Sequence, residues 1–150
     1  MNRHSLGTFL VSMQFTALGL HLILAALSLD GEVPETSTLT LLALGLALGA
    51  WALSCNRPGN FSILPQPREG GRFVQSGPYR WVRHPMYVAL LLISAALGGI
   101  TDSFPGWMLS LTLLGVLLIK AGFEERWMAE AHPDYAAYQA RTRGFIPFIY

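Results

Sequence analysis

The sequence predicts an all-α integral membrane protein with about four transmembrane helices, and three observations carry that prediction. Only 13% of the 150 residues are charged while 52% are hydrophobic, against about 25% charged in an ordinary soluble domain. Four long apolar segments follow one another along the chain. Between them, basic and acidic residues sort onto alternate connections. The length suits one domain, residues 1–150.

The first two segments, within residues 1–55, are the clearest. Ser5–Leu29 is 25 residues long with His21 as its one ionisable group, and Thr36–Cys55 is 20 residues with none. About 20 apolar residues span a bilayer. The first run exceeds the ~7–15 residues of a signal-peptide core, and more apolar segments follow, so it reads as a retained helix. A histidine in lipid is costly and often functional, and a hydrogen bond to another helix is its simpler explanation. The "LALGLALGA" stretch of the second segment suits close packing within the bundle or between copies.

The next pair, within residues 86–123, is shorter. Met86–Ile100 has 15 residues, Trp107–Phe123 has 17 and contains Lys120, and "SFPG" at Ser103–Gly106 divides them. They read as a tight hairpin that barely spans, with Lys120 snorkelling to the interface.

Charge placement orients the bundle. The connections Asp30–Glu35 and Thr101–Gly106 carry acids and no Lys or Arg, whereas Arg57, Arg68, Arg72, Arg80 and Arg83 lie between the second and third segments. Arg3, Arg126, Arg141 and Arg143 fall on the same side as that basic stretch in a four-pass arrangement. Positive loops stay cytoplasmic, so both termini are expected inside. The Ala/Leu/Gly-rich composition suggests a bacterial plasma membrane. A formal charge of +1 without a basic stripe gives no nucleic-acid footprint. A single cysteine, Cys55, permits no internal disulfide and no thiolate zinc cluster, and no metal ligand set is expected.

The polar residues collect in two cytoplasmic stretches. In residues 56–85, Pro58, Pro65 and Pro67 with Gly70-Gly71 exclude a regular helix. That part reads as a surface linker. "SGPYRWVRHPMY" is denser in chemistry. Pro85 suits a first helical turn, His84 then stands near the N-cap, and Arg80 and Arg83 add charge where a helix N-terminus already favours an anion. Tyr79, Trp81 and Tyr87 add flat surfaces. An interfacial anchor of Trp, Tyr and Arg explains the same residues. In residues 124–150, a helix is expected to leave the membrane, with a Lys120–Glu124 pair on one face and Tyr135 and Tyr138 sharing another. Glu124 and Glu125 are neighbours, about 100° apart around a helix, so only one faces a given pocket. His132 in "AHPD" reads as a turn residue and "GFIPFIY" as an aromatic end-piece.

The segments "GRFVQSGPYRWVRHPMY", the hydrophobic hairpin, "EER" and "HPDYAAYQARTRGFIPFI" together resemble the isoprenylcysteine carboxyl methyltransferase family and its relatives, the membrane phospholipid methyltransferases. The resemblance covers Gly70–Tyr150. It implies an integral membrane enzyme that binds S-adenosylmethionine between the cytoplasmic loop and the C-terminal helix. Val74 and Gly77 would then line the cofactor from the loop, with Tyr79, His84, Pro85, Met86 and Tyr87 around it. Glu124 or Glu125 would hold its polar end. Arg83, His84 and the helix N-terminus suit its carboxylate. The family's substrate-side arginine has no match just before the acidic pair, where Lys120 is the nearby base. The expected activity is methyl transfer to a lipid-like or small acceptor carrying S, O or N. The acceptor would be drawn from the lipid bilayer, and catalytic residues and oligomeric state are left open. An NADPH-dependent membrane reductase of the sterol reductase type and a non-catalytic membrane subunit stand as alternatives.

Overall fold

A computed structural model describes residues 2–29, 31, 33–56, 62–67 and 73–146. Among the described residues five α-helices follow in order: α1 (Arg3–Ser28), α2 (Thr36–Cys55), α3 (Pro85–Thr101), α4 (Phe104–Ala131) and the short α5 (Tyr135–Arg141). A 3-10 turn, Gly77–Arg80, precedes α3. The all-α membrane fold expected from composition is therefore the fold observed, with the limits of α1, α2 and α3 within a few residues of the apolar segments. The basic stretches expected at Arg57, Arg68 and Arg72, and Gly70-Gly71, fall outside the described residues, as does the end-piece beyond Ile146.

Three helices, α1, α2 and α4, are long and apolar enough to cross a membrane. The fourth, α3, has 17 residues. At 1.5 Å per residue it is about 26 Å long against a hydrocarbon core of about 30 Å, so it spans only with its ends in the headgroup layer. The α3–α4 hairpin is tight, as the "SFPG" break requires. Asp102 takes a left-handed conformation at φ 35°. Ser103 then caps α4 by accepting a hydrogen bond from Gly106 N at 3.3 Å, and Pro105 sits in the first turn, where a missing N–H costs nothing.

The helices pack in the order α2–α3–α4–α1, with α1 also against α3. Close approach of α2 to α3 depends on the glycines of "LALGLALGA". A Cβ at Gly45 would stand 2.8 Å from Ile93 Cγ1 and 3.0 Å from the Ala89 carbonyl oxygen. His21, 1% exposed, faces α3 with Nδ1 3.2 Å from Ser94 Oγ. That is the interhelical bond which its simpler reading anticipated. Its Nε2 has no hydrogen-bond partner among the described residues.

α4 runs on past Phe123 to Ala131 before His132–Asp134 breaks it, the continuation expected where a helix leaves the membrane. Lys120 does not snorkel. It is 2% exposed and turns inward, donating to Gln14 Oε1 of α1 at 2.7 Å. The expected Lys120–Glu124 pair is replaced, because the facing helices offer each residue a partner: Gln14 for Lys120, and the Tyr87 hydroxyl for Glu124 at 2.7 Å. Snorkelling would have left the buried Gln14 amide without its acceptor role.

Candidate functional site

The site forms where α3 and α4 reach the polar end of the bundle. The turn at Gly77 sets it up. Gly77 has φ +59°, and a Cβ there would collide with Cys55 Sγ and come within 3.2 Å of Trp51 Nε1. Only glycine lets this turn press against the end of α2. The Pro78–Arg80 turn then delivers Tyr79, and Pro85 begins α3 at its first turn with His84 as N-cap residue.

Between them, residues 81–84 run beside the chain's last described segment. A parallel bridge pairs Val82 with Arg143. Arg83 N donates to Arg143 O at 2.8 Å, His84 N to Gly144 O at 3.1 Å, and Arg143 N to Trp81 O at 3.0 Å. Phe145 closes the back of His84, its ring centroid 5.5 Å away. The segment expected as an interfacial end-piece is, as far as Ile146, part of the wall behind the RHP motif.

Glu125 is the hub of that wall. It accepts from Arg83 Nε at 2.7 Å, Arg83 Nη2 at 3.3 Å and Gln139 Nε2 at 3.0 Å, and its Oε1 lies 2.9 Å from His84 Nε2. Arg83 also donates to the Thr142 carbonyl at 2.9 Å. The Arg–carboxylate contact is a two-pronged pair, stronger and more directional than a single hydrogen bond. Glu124, a rotation of about 100° away, points elsewhere. It accepts from Tyr87 OH and lies 3.8 Å from His84 Nδ1. The His84 and Tyr87 rings stack with centroids 5.2 Å apart, 4° from parallel.

A cavity of about 640 Å³ opens in front of this wall. Val74, Tyr79, Arg83, His84, Pro85, Met86, Tyr87 and Glu124 border it, whereas Gly77 and Glu125 do not. Those two act behind the lining, one by shaping the turn and the other by fixing Arg83 and His84. Sequence reasoning missed several neighbours. Phe73 contacts His132, Tyr135 and Tyr138, with centroids 5.6, 5.3 and 4.7 Å away. All four rings line the cavity's mouth, so His132 is more than a turn residue. Gln14 of α1 also borders the cavity, and a lone amide in an apolar run was the available signal.

Electrostatics keep the phenols neutral. Burial, then the charges of Glu124 and Cys55, push Tyr79 up to about 12. Tyr135 and Tyr138 also rise, through burial first, and Tyr138 OH donates to the Tyr79 carbonyl at 2.7 Å. Toward the bundle interior the lining becomes apolar, with Phe15, Leu18, Leu46, Leu90 and Ile93. One space thus joins a polar aromatic mouth to a greasy trough between helices.

The phospholipid methyltransferase family model matches residues 36–134, from the start of α2 through the acidic pair. The chain belongs to this family. Among its relatives, the cobalt-zinc-cadmium resistance protein CzcN of Cupriavidus metallidurans is 31% identical over 98% of this chain. The chain spans 65% of that relative's length. The family match covers Tyr79, the RHP motif, Tyr87 and both glutamates, so the predicted kinship with membrane methyltransferases holds. It leaves out α1 and the tail from Tyr135 onward, which contribute Gln14, Tyr138 and the Arg143 bridge.

Proposed function

We propose that the protein is an S-adenosylmethionine-dependent methyltransferase acting on a lipid-like or small acceptor that bears S, O or N, at the cytoplasmic face of a bacterial plasma membrane. The observation that carries this reading is the single cavity in which the RHP motif and Glu124 meet, polar at one end and apolar at the other. Its volume is in the range of about 300–1,000 Å³ typical of small-molecule sites.

The residues present fit the cofactor. The Phe73, His132, Tyr135 and Tyr138 rings offer flat faces for adenine. Glu124 suits the amino group or the ribose hydroxyls. His84 and the positive end of α3 suit the carboxylate, with the Arg83 charge held behind them by Glu125. When bound, the cofactor supplies a methyl group already activated on a positively charged sulfur. The protein therefore has to align two partners and exclude water, which is where most of such a barrier is removed. The phenols do not serve as bases near neutral pH, because burial keeps them protonated.

The basic residues at the site's end of the bundle, Arg3, Arg80, Arg126 and Arg141 among them, support a cytoplasmic location. The relative's name ties that protein to metal resistance. Among the described residues here, no group of three His, Cys, Asp or Glu is placed to hold a metal ion.

Calorimetry on the purified protein tests the assignment. S-adenosylmethionine should bind, and Glu124→Gln should weaken it about tenfold or more, equivalent to about 1.4 kcal/mol. Undiminished affinity in both Glu124→Gln and His84→Ala, or binding of NADPH alone, refutes it and favours the reductase reading.

A further inference from the structure

We propose that Trp51, Arg80 and Trp81 form a docking seat for the headgroup of an anionic phospholipid. The seat lies on the outer flank of the turn whose inner flank borders the cavity. Its occupant is a lipid held beside the site and not the methyl acceptor.

Two roles suit the aromatic and basic residues of "SGPYRWVRHPMY", and each role has its own residues in the fold. Tyr79, Arg83, His84 and Tyr87 border the cavity. Arg80 and Trp81 do not, and both are exposed.

Trp51 fixes the depth of this outer flank. It lies one turn from the end of α2, a helix long and apolar enough to cross a membrane. Its side chain is 46% exposed, so on such a helix it faces the layer where lipid chains meet headgroups, the usual place of tryptophan. Trp81, 44% exposed, packs against it with ring centroids 5.9 Å apart. Arg80 Cζ stands 5.8 Å from the Trp81 centroid, within cation–π range. The guanidinium is thereby held at headgroup level. A second exposed arginine, Arg143, is joined to Trp81 through its backbone N–H, which donates to Trp81 O at 3.0 Å.

Chemistry selects the occupant. Among the described residues no carboxylate pairs with Arg80 or Arg143. The Arg80 fork offers N–H donors in the geometry a phosphate accepts, and each indole adds an N–H beside an apolar face. A lipid phosphate at this depth also brings acyl chains to the Trp51 and Trp81 faces, whereas free phosphate brings charge alone. A zwitterionic headgroup carries its own cation beside the phosphate, and that cation competes with Arg80. An anionic headgroup has no such competitor. One arginine near an anionic lipid surface gains about fivefold in affinity.

The seat bears on the site because one short turn serves both. Trp81 N donates to Pro78 O at 3.2 Å, and Tyr138 OH holds the Tyr79 carbonyl at 2.7 Å from the cavity side. A headgroup on Arg80 grips the same turn from the lipid side, and so stabilises the fold around Tyr79.

The test titrates the whole protein, in a nonionic detergent, with dioctanoylphosphatidylglycerol, dioctanoylphosphatidylcholine or inorganic phosphate. Tryptophan emission and melting temperature are read, and neither depends on S-adenosylmethionine. The anionic lipid should bind about fivefold or more tightly than the zwitterionic one and raise the melting temperature more. Both advantages should fade in about 0.5 M salt. Arg80→Gln should bind the two lipids equally, yet melt near wild type in detergent alone, as expected of an exposed residue without an ion pair. Arg80→Lys should keep most of the preference. Arg126→Gln should keep all of it, because Arg126 is exposed but stands over Phe123 of α4. Equal affinities in the wild type, a preference that survives Arg80→Gln, an equal loss in Arg126→Gln, or the same response to inorganic phosphate each overturns the proposal.

Discussion

The two adjacent glutamates offer a sharp separation of roles, because one side chain braces the wall and its neighbour faces the cavity. Glu125→Ala removes the acceptor for Arg83 Nε, Arg83 Nη2 and Gln139 Nε2, and the partner of His84 Nε2. A hydrogen bond to a charged group contributes about 1.5–3 kcal/mol, and bonds sharing one carboxylate do not add. Losing one partner of a fully buried ion pair costs about 3–5 kcal/mol. The Arg83 and Glu125 side chains keep 15% and 22% exposure, so water recovers part of that loss. The net cost is about 2–3 kcal/mol, with Arg83 and His84 left as the unsatisfied groups. For a chain of this size that lowers the melting temperature by about 5–10 °C. Glu124→Ala removes only the Tyr87 contact and a distant His84 contact, and should cost about 1 kcal/mol or less of stability. Melting curves in one detergent, read beside S-adenosylmethionine calorimetry, resolve the pair. Glu125→Ala should melt early, and Glu124→Ala should melt near wild type but bind cofactor poorly. The reverse pattern, with Glu124→Ala the less stable and Glu125→Ala the weaker binder, refutes the assignment.

Two further outcomes follow from the turn and the mouth. Gly77→Ala forces a side chain into left-handed backbone and into Cys55, and should cost about 1–3 kcal/mol in melting experiments. Adding Cys55→Ala should recover the steric part but not the backbone part. The Tyr79 phenol, raised from 10.0 to about 12, contributes stability that is complete below pH 10 and is lost as pH climbs toward 12. The melting temperature should fall across that window, and Tyr79→Phe should flatten the decline.

The fold was largely legible because apolar runs and their interruptions are local. The "SFPG" break and Pro85 mark helix ends through their own backbone chemistry, and each lies where a helix ends or starts. Facing was not legible. In helices apolar on every side, periodicity carries no rotational signal, so nothing in the order of residues told whether Lys120 looked to water or to Gln14. The same loss of phase left Glu124 and Glu125 unresolved, since about 100° of rotation separates them. The RHP motif announced itself by composition. Its pairing with Arg143 and Gly144 did not, because some sixty positions separate the two strands of the bridge.

That bridge also bears on the order of events during synthesis. Helices α1 to α4 are already made when translation reaches Tyr135, but the backbone N–H groups of Arg83 and His84 lack these acceptors until Arg143 and Gly144 leave the ribosome. A nascent chain can therefore be fully inserted and still lack the surface that orients its imidazole. The pairing of Arg143 and Gly144 thus acts as a clasp, fastened after the bundle has been threaded.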